Sequence, residues 1–151
     1  MVISFCGHSS YISNEQDKKQ ILELIESVGQ NKHIDFYLGG YGNFDSFARV
    51  CAKEYQAKHP DSKLYFITPY LEENYGKLDY VQDLYDGSIY PEIENIPKRY
   101  AISKRNEWMV THSDYIIAYV SHTFGGDYKT LLYAKKKNKT YTNIFNGEKR
   151  I

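Results

Sequence analysis

Glycine recurs where an apolar run gives way to a helical pattern. Gly39-Gly40-Tyr41-Gly42 follows the run at 34–38, and Gly125-Gly126 follows the run at 115–120. A third run, 2–6, ends in Gly7-His8-Ser9-Ser10. Glycine lets the main chain approach a ligand with no Cβ between them, and a helix starting there offers unsatisfied N–H groups to an anion. The chemistry these residues describe is phosphate binding. His8 is placed to touch a phosphate or sugar, with Ser9 and Ser10 offering hydroxyls to the same group; its plainer role is that of a hydrogen-bonded loop histidine. Asp45 is the carboxylate best placed for ribose hydroxyls, and equally an acidic residue that suits a helix N-terminus. Thr123, Asp127 and Thr130 surround the second glycine pair, where Thr130 either bonds a phosphate or simply occupies the first helical turn.

Arg105 is the most telling single residue. In the helical pattern over 98–112 it shares the apolar face with Ala101, Trp108, Met109 and His112. A buried guanidinium must find a carboxylate, a backbone carbonyl or a bound anion, because an unpaired buried charge is too costly. Glycine turns aimed at one end of the sheet favour the anion over an internal ion pair. Other site chemistries lack their residues. No Gly-Lys-Ser/Thr follows either glycine cluster, no complete GxGxxG follows the first run, no histidine, cysteine and carboxylate set has zinc spacing, and no GxSxG elbow occurs. No metal and no cofactor are expected.

The elements that must position these residues alternate. Strands are expected over 2–6, 34–38, 64–68, 115–120 and 140–144. Between them, Ser13 with Gln16 forms a capping box for a helix that Gly29 ends, a second helix buries Phe44, Phe47, Ala48, Cys51 and Tyr55 before Pro60, and helices follow over 98–112 and 128–137. Residues 69–97 show no clean period, which suits a lid or binding segment, with short helical turns around 80–85. This alternation predicts an α/β, three-layer Rossmann-like fold whose mainly parallel sheet has about five strands. With no repeat and no linker, residues 1–151 form one domain.

Composition narrows the partners. Lys+Arg and Asp+Glu are each 19, so the formal net charge is zero; the expectation is no nucleic acid as a partner, because such binders carry a basic excess. The basic clusters at Lys98-Arg99 and Lys135-Lys136-Lys137 then read as solvated helix faces. Cys6 and Cys51 fall in segments that bury, which suits free thiols in a reducing compartment. No apolar run is long enough to span a membrane and the N-terminus carries no signal-peptide pattern, so no membrane partner and a cytoplasmic location are expected.

Four segments, taken in order, resemble a known superfamily: Gly7-His8, then Leu38-Gly39-Gly40-Tyr41-Gly42-Asn43-Phe44-Asp45, then Lys104-Arg105-Asn106-Glu107-Trp108-Met109, then Gly125-Gly126-Asp127-Tyr128-Lys129-Thr130. The chain is similar over nearly its whole length to the SLOG superfamily, Rossmann-like domains that include LOG-type phosphoribohydrolases and nucleotide-sensing domains of bacterial defence systems. The resemblance implies a bacterial or phage domain that binds a nucleotide or nucleotide-derived small molecule, as a sensor, and forms a homodimer or larger homo-oligomer; the 16 tyrosines suit such an interface. It places the ligand against Gly7, His8, Ser9, Gly39, Gly40, Tyr41, Gly42, Asp45, Arg105, Asn106, Thr123, Gly125, Gly126 and Thr130. Arg105 and Met109 match the LOG arginine and methionine, with Asn106 where lysine is usual. Thr130-Leu131-Leu132 stands where LOG enzymes carry catalytic glutamates. The alternative reading, an enzyme of N-glycosidic bonds (a phosphoribohydrolase or a nucleoside deoxyribosyltransferase-like transferase), would need Asp45, Asp127 or Glu107 as a substitute carboxylate. A third is a scaffold in which the glycine turns bind nothing.

Overall fold

A computed structural model describes residues 1–30, 32–70 and 83–151. Short β-branched and aromatic runs form the central strands: β1 Val2–Gly7, β2 Asp35–Leu38, β3 Lys63–Ile67 and β5 Tyr115–Tyr119. β1 and β5, buried on both faces, read as continuous apolar runs, as parallel strands do, whereas β2 and β3 alternate half-buried with buried positions. β4 Gly87–Ile89, β6 Tyr141–Asn143 and β7 Glu148–Arg150 complete a seven-stranded sheet ordered β4-β3-β2-β1-β5-β6-β7. Every pairing is parallel except the β6–β7 hairpin.

The helices are α1 Glu15–Gly29, α2 Gly42–Lys58, α3 Ala101–Thr111 and α4 Gly125–Lys136. Ile3 and Phe5 of β1 pack with Ile21, Ile25, Phe44 and Cys51 of α1 and α2. Cys6, with Ile116 and Ala118 of β5, packs instead with Val110 of α3 and Leu131 and Ala134 of α4. The expected three layers follow from that alternation. The chain builds outward from β1 through β2 and β3, then crosses back to place β5 on the other side of β1. This reversal opens a crevice at the carboxyl ends of β1 and β5, where doubly wound sheets bind ligands.

Sequence and structure differ in detail. β4 lies within the stretch read as irregular and is too short to show a period. β7 is exposed throughout, so no apolar signal marks it; its Glu-Lys-Arg sequence blunts an open sheet edge. Asn14, not Ser13, caps α1, its side chain accepting from the Asp17 amide at 2.8 Å. Helix α3 begins at Ala101 after a 3-10 turn at Lys98–Tyr100, and α4 begins at the glycine pair itself. The helical turns expected around 80–85 fall mostly outside the described residues. Both cysteines are buried and unpaired. No helix among the described residues is long and apolar enough to cross a membrane.

Candidate functional site

A cavity of about 270 Å³ opens at the carboxyl edge of the sheet, between the ends of β1 and β2 and the helices α3 and α4. Four turn glycines near it have different reasons to be glycine. A Cβ on Gly40, where φ is 74°, would lie 2.3 Å from the Phe66 ring. One on Gly42, at φ 81°, would lie 2.7 Å from Ser9 Cα. One on Gly7 would sit 2.4 Å from Phe44. Packing alone demands these three. A Cβ on Gly126 meets nothing within 4 Å, and its φ is not in the left-handed region. Nothing in the free fold requires a glycine there, yet Gly126 forms part of the cavity wall.

Gly126 belongs to the first turn of α4, whose N-cap residue Phe124 supplies no side-chain hydrogen bond. The first turn of α2 is occupied differently. There the Asn43 and Phe44 amides donate to the Ser9 and His8 carbonyls, and the Tyr41 amide donates to Asp45 Oδ2 at 3.0 Å. An anion therefore finds bare first-turn amides on α4, whereas at the start of α2 the Tyr41, Asn43 and Phe44 amides are already taken.

Arg105 is 2% exposed and donates from Nη1 to the carbonyls of Gly39 at 2.9 Å and Ile67 at 2.7 Å, and from Nε to Asn106 Oδ1 at 2.9 Å. It thus ties the ends of β2 and β3 to α3. The Tyr41 ring lies over the guanidinium at 5.4 Å. A Cβ on Gly39 would lie 3.1 Å from Asp45 Oδ2 and 3.2 Å from Arg105 Nη2, so carboxylate and guanidinium converge on one glycine. Burial raises the Asp45 pKa to about 7, against the opposing pull of Arg105. A carboxyl that holds its proton in the folded state favours folding at low pH, where the unfolded chain is also protonated. That advantage is lost as pH rises from about 4 to about 7. Asp45→Asn is expected to remove this fall, so the melting temperature of the variant gains on wild type across that interval; parallel profiles would contradict the assignment. Cys6 also lines the cavity, but burial, with Asp45 adding to it, pushes its thiol up to about 12, so it is no nucleophile at neutral pH.

His8 is locked between elements. Its Nε2 accepts from the Ser121 amide at 2.6 Å, and its Nδ1 meets Asp127 Oδ2. Because Nε2 accepts, the proton of the neutral ring sits on Nδ1, facing the Asp127 carboxylate. Burial first, then the neighbouring His122, holds the pKa below the usual histidine value and keeps this neutral tautomer. His8, His122 and Asp127 are the one cluster of metal-ligand type among the described residues. His8 Nε2 is taken by the Ser121 amide, and the cluster joins the ends of β1 and β5 to α4. His122 stacks on His8 at 3.5 Å and on Phe124 at 4.1 Å, and Phe124 is 67% exposed.

Of the residues expected from sequence, Gly7, Ser9, Gly39, Tyr41, Gly42, Asp45, Arg105, Asn106, Gly126 and Thr130 line the cavity. His8, Gly40, Thr123 and Gly125 do not. Gly40 turns toward Phe66, Gly125 starts α4 at φ 92°, and Thr123 is exposed outside. The Thr130 hydroxyl donates to the Gly126 carbonyl at 2.8 Å. On α3, Met109 and Val110 share the buried side with Arg105, while Trp108 is only half-buried, stacked on Tyr37, and His112 is exposed. Sequence reasoning missed Ser4, Phe5, Ile102, Val110 and Ile116 in the wall. Alternation along β1 was the available signal for Ser4: Ser4 and Cys6 point opposite to Ile3 and Phe5.

No family model matches the chain. The uncharacterized SPbeta prophage-derived protein YoqJ of Bacillus subtilis (strain 168) is 30% identical over 141 residues, covering 79% of this chain and 80% of that protein. The chain belongs to the YoqJ family. Among solved structures, this YoqJ-family fold matches DNA processing protein A (DprA) from Helicobacter pylori at a TM-score of 0.63 with 15% identity over 95% of the chain. It matches DprA from Streptococcus pneumoniae at 0.59 with 14% identity over 93%, and the protein TM1055 at 0.56 with 12% identity over 93%. The chain spans 64% and 49% of the two DprA chains and 72% of TM1055. At these identities the likeness establishes the Rossmann-like fold.

One expectation is corrected here. The zero net charge argues for no nucleic acid as a partner, but the H. pylori DprA that shares this fold has a single-stranded DNA binding mode. Net charge is a sum over the whole surface, whereas a backbone contact needs cations only along its own path.

Proposed function

We propose that the cavity binds a nucleotide or nucleotide-derived ligand, free or carried on a nucleic-acid strand, in the manner of a SLOG-type domain. The phosphate sits on the bare first-turn amides of α4, Asp45 meets the ribose, and Arg105 supplies positive potential from beneath. The observation that carries this reading is Gly126: a glycine that no neighbour requires, in an uncapped helix turn, on the wall of the cavity. A helix N-terminus with its amides exposed to a cleft favours an anion by both hydrogen bonding and the helix dipole. The structural likeness to TM1055 and DprA, and the order of the motifs, support the SLOG reading.

The test is thermal stability of the folded protein against nucleoside mono- and triphosphates, cyclic nucleotides, ADP-ribose derivatives and short 5′-phosphorylated single strands. At least one is expected to raise the melting temperature, by the mass-action shift that binding to the native state alone produces. A well-folded protein that none of them stabilises would overturn the proposal.

Asp45 favours a second reading, the N-glycosidic enzyme. A carboxyl that titrates near neutrality inside the cavity is suited to protonate a leaving base. The other candidates are engaged, Asp127 with His8 and Glu107 with Lys104 at 3.2 Å. Free base released from nucleoside monophosphates by the wild type, and lost in Asp45→Asn, would identify this activity.

A further inference from the structure

The cavity does not end at the phosphate site. A second groove of about 530 Å³ runs between α3 and α4, and Ile102, Asn106, Gly126 and Thr130 line both spaces. The two therefore adjoin at the glycine turn. A volume of about 270 Å³ is small for a whole nucleotide, since sites for small molecules span roughly 300–1,000 Å³. A ligand anchored at α4 must extend, and the open direction is this groove.

The groove gathers cations in a chain whose net charge is zero. Arg99, Lys129 and Lys136 line it, all exposed, and no ion pair among the described residues engages them. Lys129 and Lys136 stand seven positions apart on α4, on one face and about 10 Å apart along the axis. Among the described residues, Glu107 is the one carboxylate lining the groove, and Lys104 holds it. Between the cations lie apolar surfaces: Ile102 is 39% exposed and Leu132 42%. Separated cations along a groove that Tyr133 also lines suit a single strand, whose backbone tracks cations and whose bases stack on aromatic rings, better than a compact anion.

We propose that the α3–α4 groove is a track for the backbone of a single-stranded nucleic acid, which delivers one of its nucleotides into the cavity. This rests on the nucleotide reading of the cavity. The zero net charge then reflects acids placed elsewhere on the molecule, not the absence of a polyanion path.

The experiment measures fluorescence anisotropy of a labelled mixed-sequence 12-mer single strand, with its duplex and the four deoxynucleoside monophosphates as competitors. The partner variant is Lys129→Glu with Lys136→Glu, exposed positions whose effect on folding is checked by its melting curve. The single strand is expected to bind at least tenfold tighter than any monophosphate. Its salt slope should fall in the double variant by about 0.7 for each phosphate that is no longer neutralised. The double variant should lose tenfold or more in affinity for the 12-mer and keep its affinity for the monophosphate within twofold. Monophosphate binding with no gain for the 12-mer overturns the track and leaves the cavity reading standing. Preference for the duplex, or a double variant that binds the 12-mer as wild type does, also overturns it. Binding of neither strand nor monophosphate overturns the track and leaves the cavity reading to be decided by the thermal-shift panel.

Discussion

Arg105→Met is expected to lower the melting temperature of the ligand-free protein by about 10 °C. The substitution removes the donor shared by the Gly39 and Ile67 carbonyls, which lie at the buried ends of β2 and β3. Each stranded carbonyl costs about 1–3 kcal/mol, partly offset because methionine fills much of the space without burying a charge. A net loss of about 3 kcal/mol moves the midpoint of a domain this size by roughly 2–4 °C per kcal/mol. Before the fold is known, such a loss would speak for a structural ion pair and against an anion site. The geometry changes that inference. Arg105 is a structural tie through Nη1 and Nε while its Nη2 edge lies beside Gly39 at the cavity, so loss of stability and loss of ligand affinity are expected together. Calorimetry of the free variant, followed by ligand titration below its midpoint, separates the two. A variant as stable as wild type would show that the two carbonyl bonds contribute nothing.

Gly126→Ala has the opposite profile. Its methyl enters open space, and alanine is the better helix former, so the free protein should be as stable as wild type or slightly more so. The same methyl stands where a phosphate would approach the amides of α4, and ligand affinity is expected to fall at least tenfold. Gly125→Ala is the control. At φ 92°, with Asp127 Oδ1 3.1 Å from the added carbon, it should cost about 1–2 kcal/mol of stability by strain. Measured by thermal shift with and without the stabilising nucleotide, an unchanged response in Gly126→Ala would remove α4 as the anion site. Because the variant is expected to fold normally, no loss of structure can imitate the loss of binding.

How much of this was legible depends on the range of the interactions involved. The apolar runs at β1, β2, β3 and β5, the glycines after β1 and β2 and the pair that opens α4 are local signals, and they placed the layers and the mouth of the cleft. So was the burial of Arg105, because its helical face is set by its neighbours in sequence. Caps and edges were less legible: Ser13 and Asn14 are equally good caps in isolation, and the fold uses Asn14. The partners of Arg105 lie 66 and 38 residues away, and the Ser121 amide that fixes the His8 tautomer lies 113 residues away, beyond any spacing rule. The groove between α3 and α4 belongs to the same class. Arg99, Lys129 and Lys136 are ordinary surface cations in the sequence, and the composition balances them against acids anywhere in the chain. Sequence by itself determined the alternation of elements and the end of the sheet where a ligand would sit, because periodicity and glycine act over a few residues. Only the tertiary structure decided which of those glycines is spare, which helix turn keeps its amides bare and where the cations gather, because each of those is a distance between segments remote in the chain.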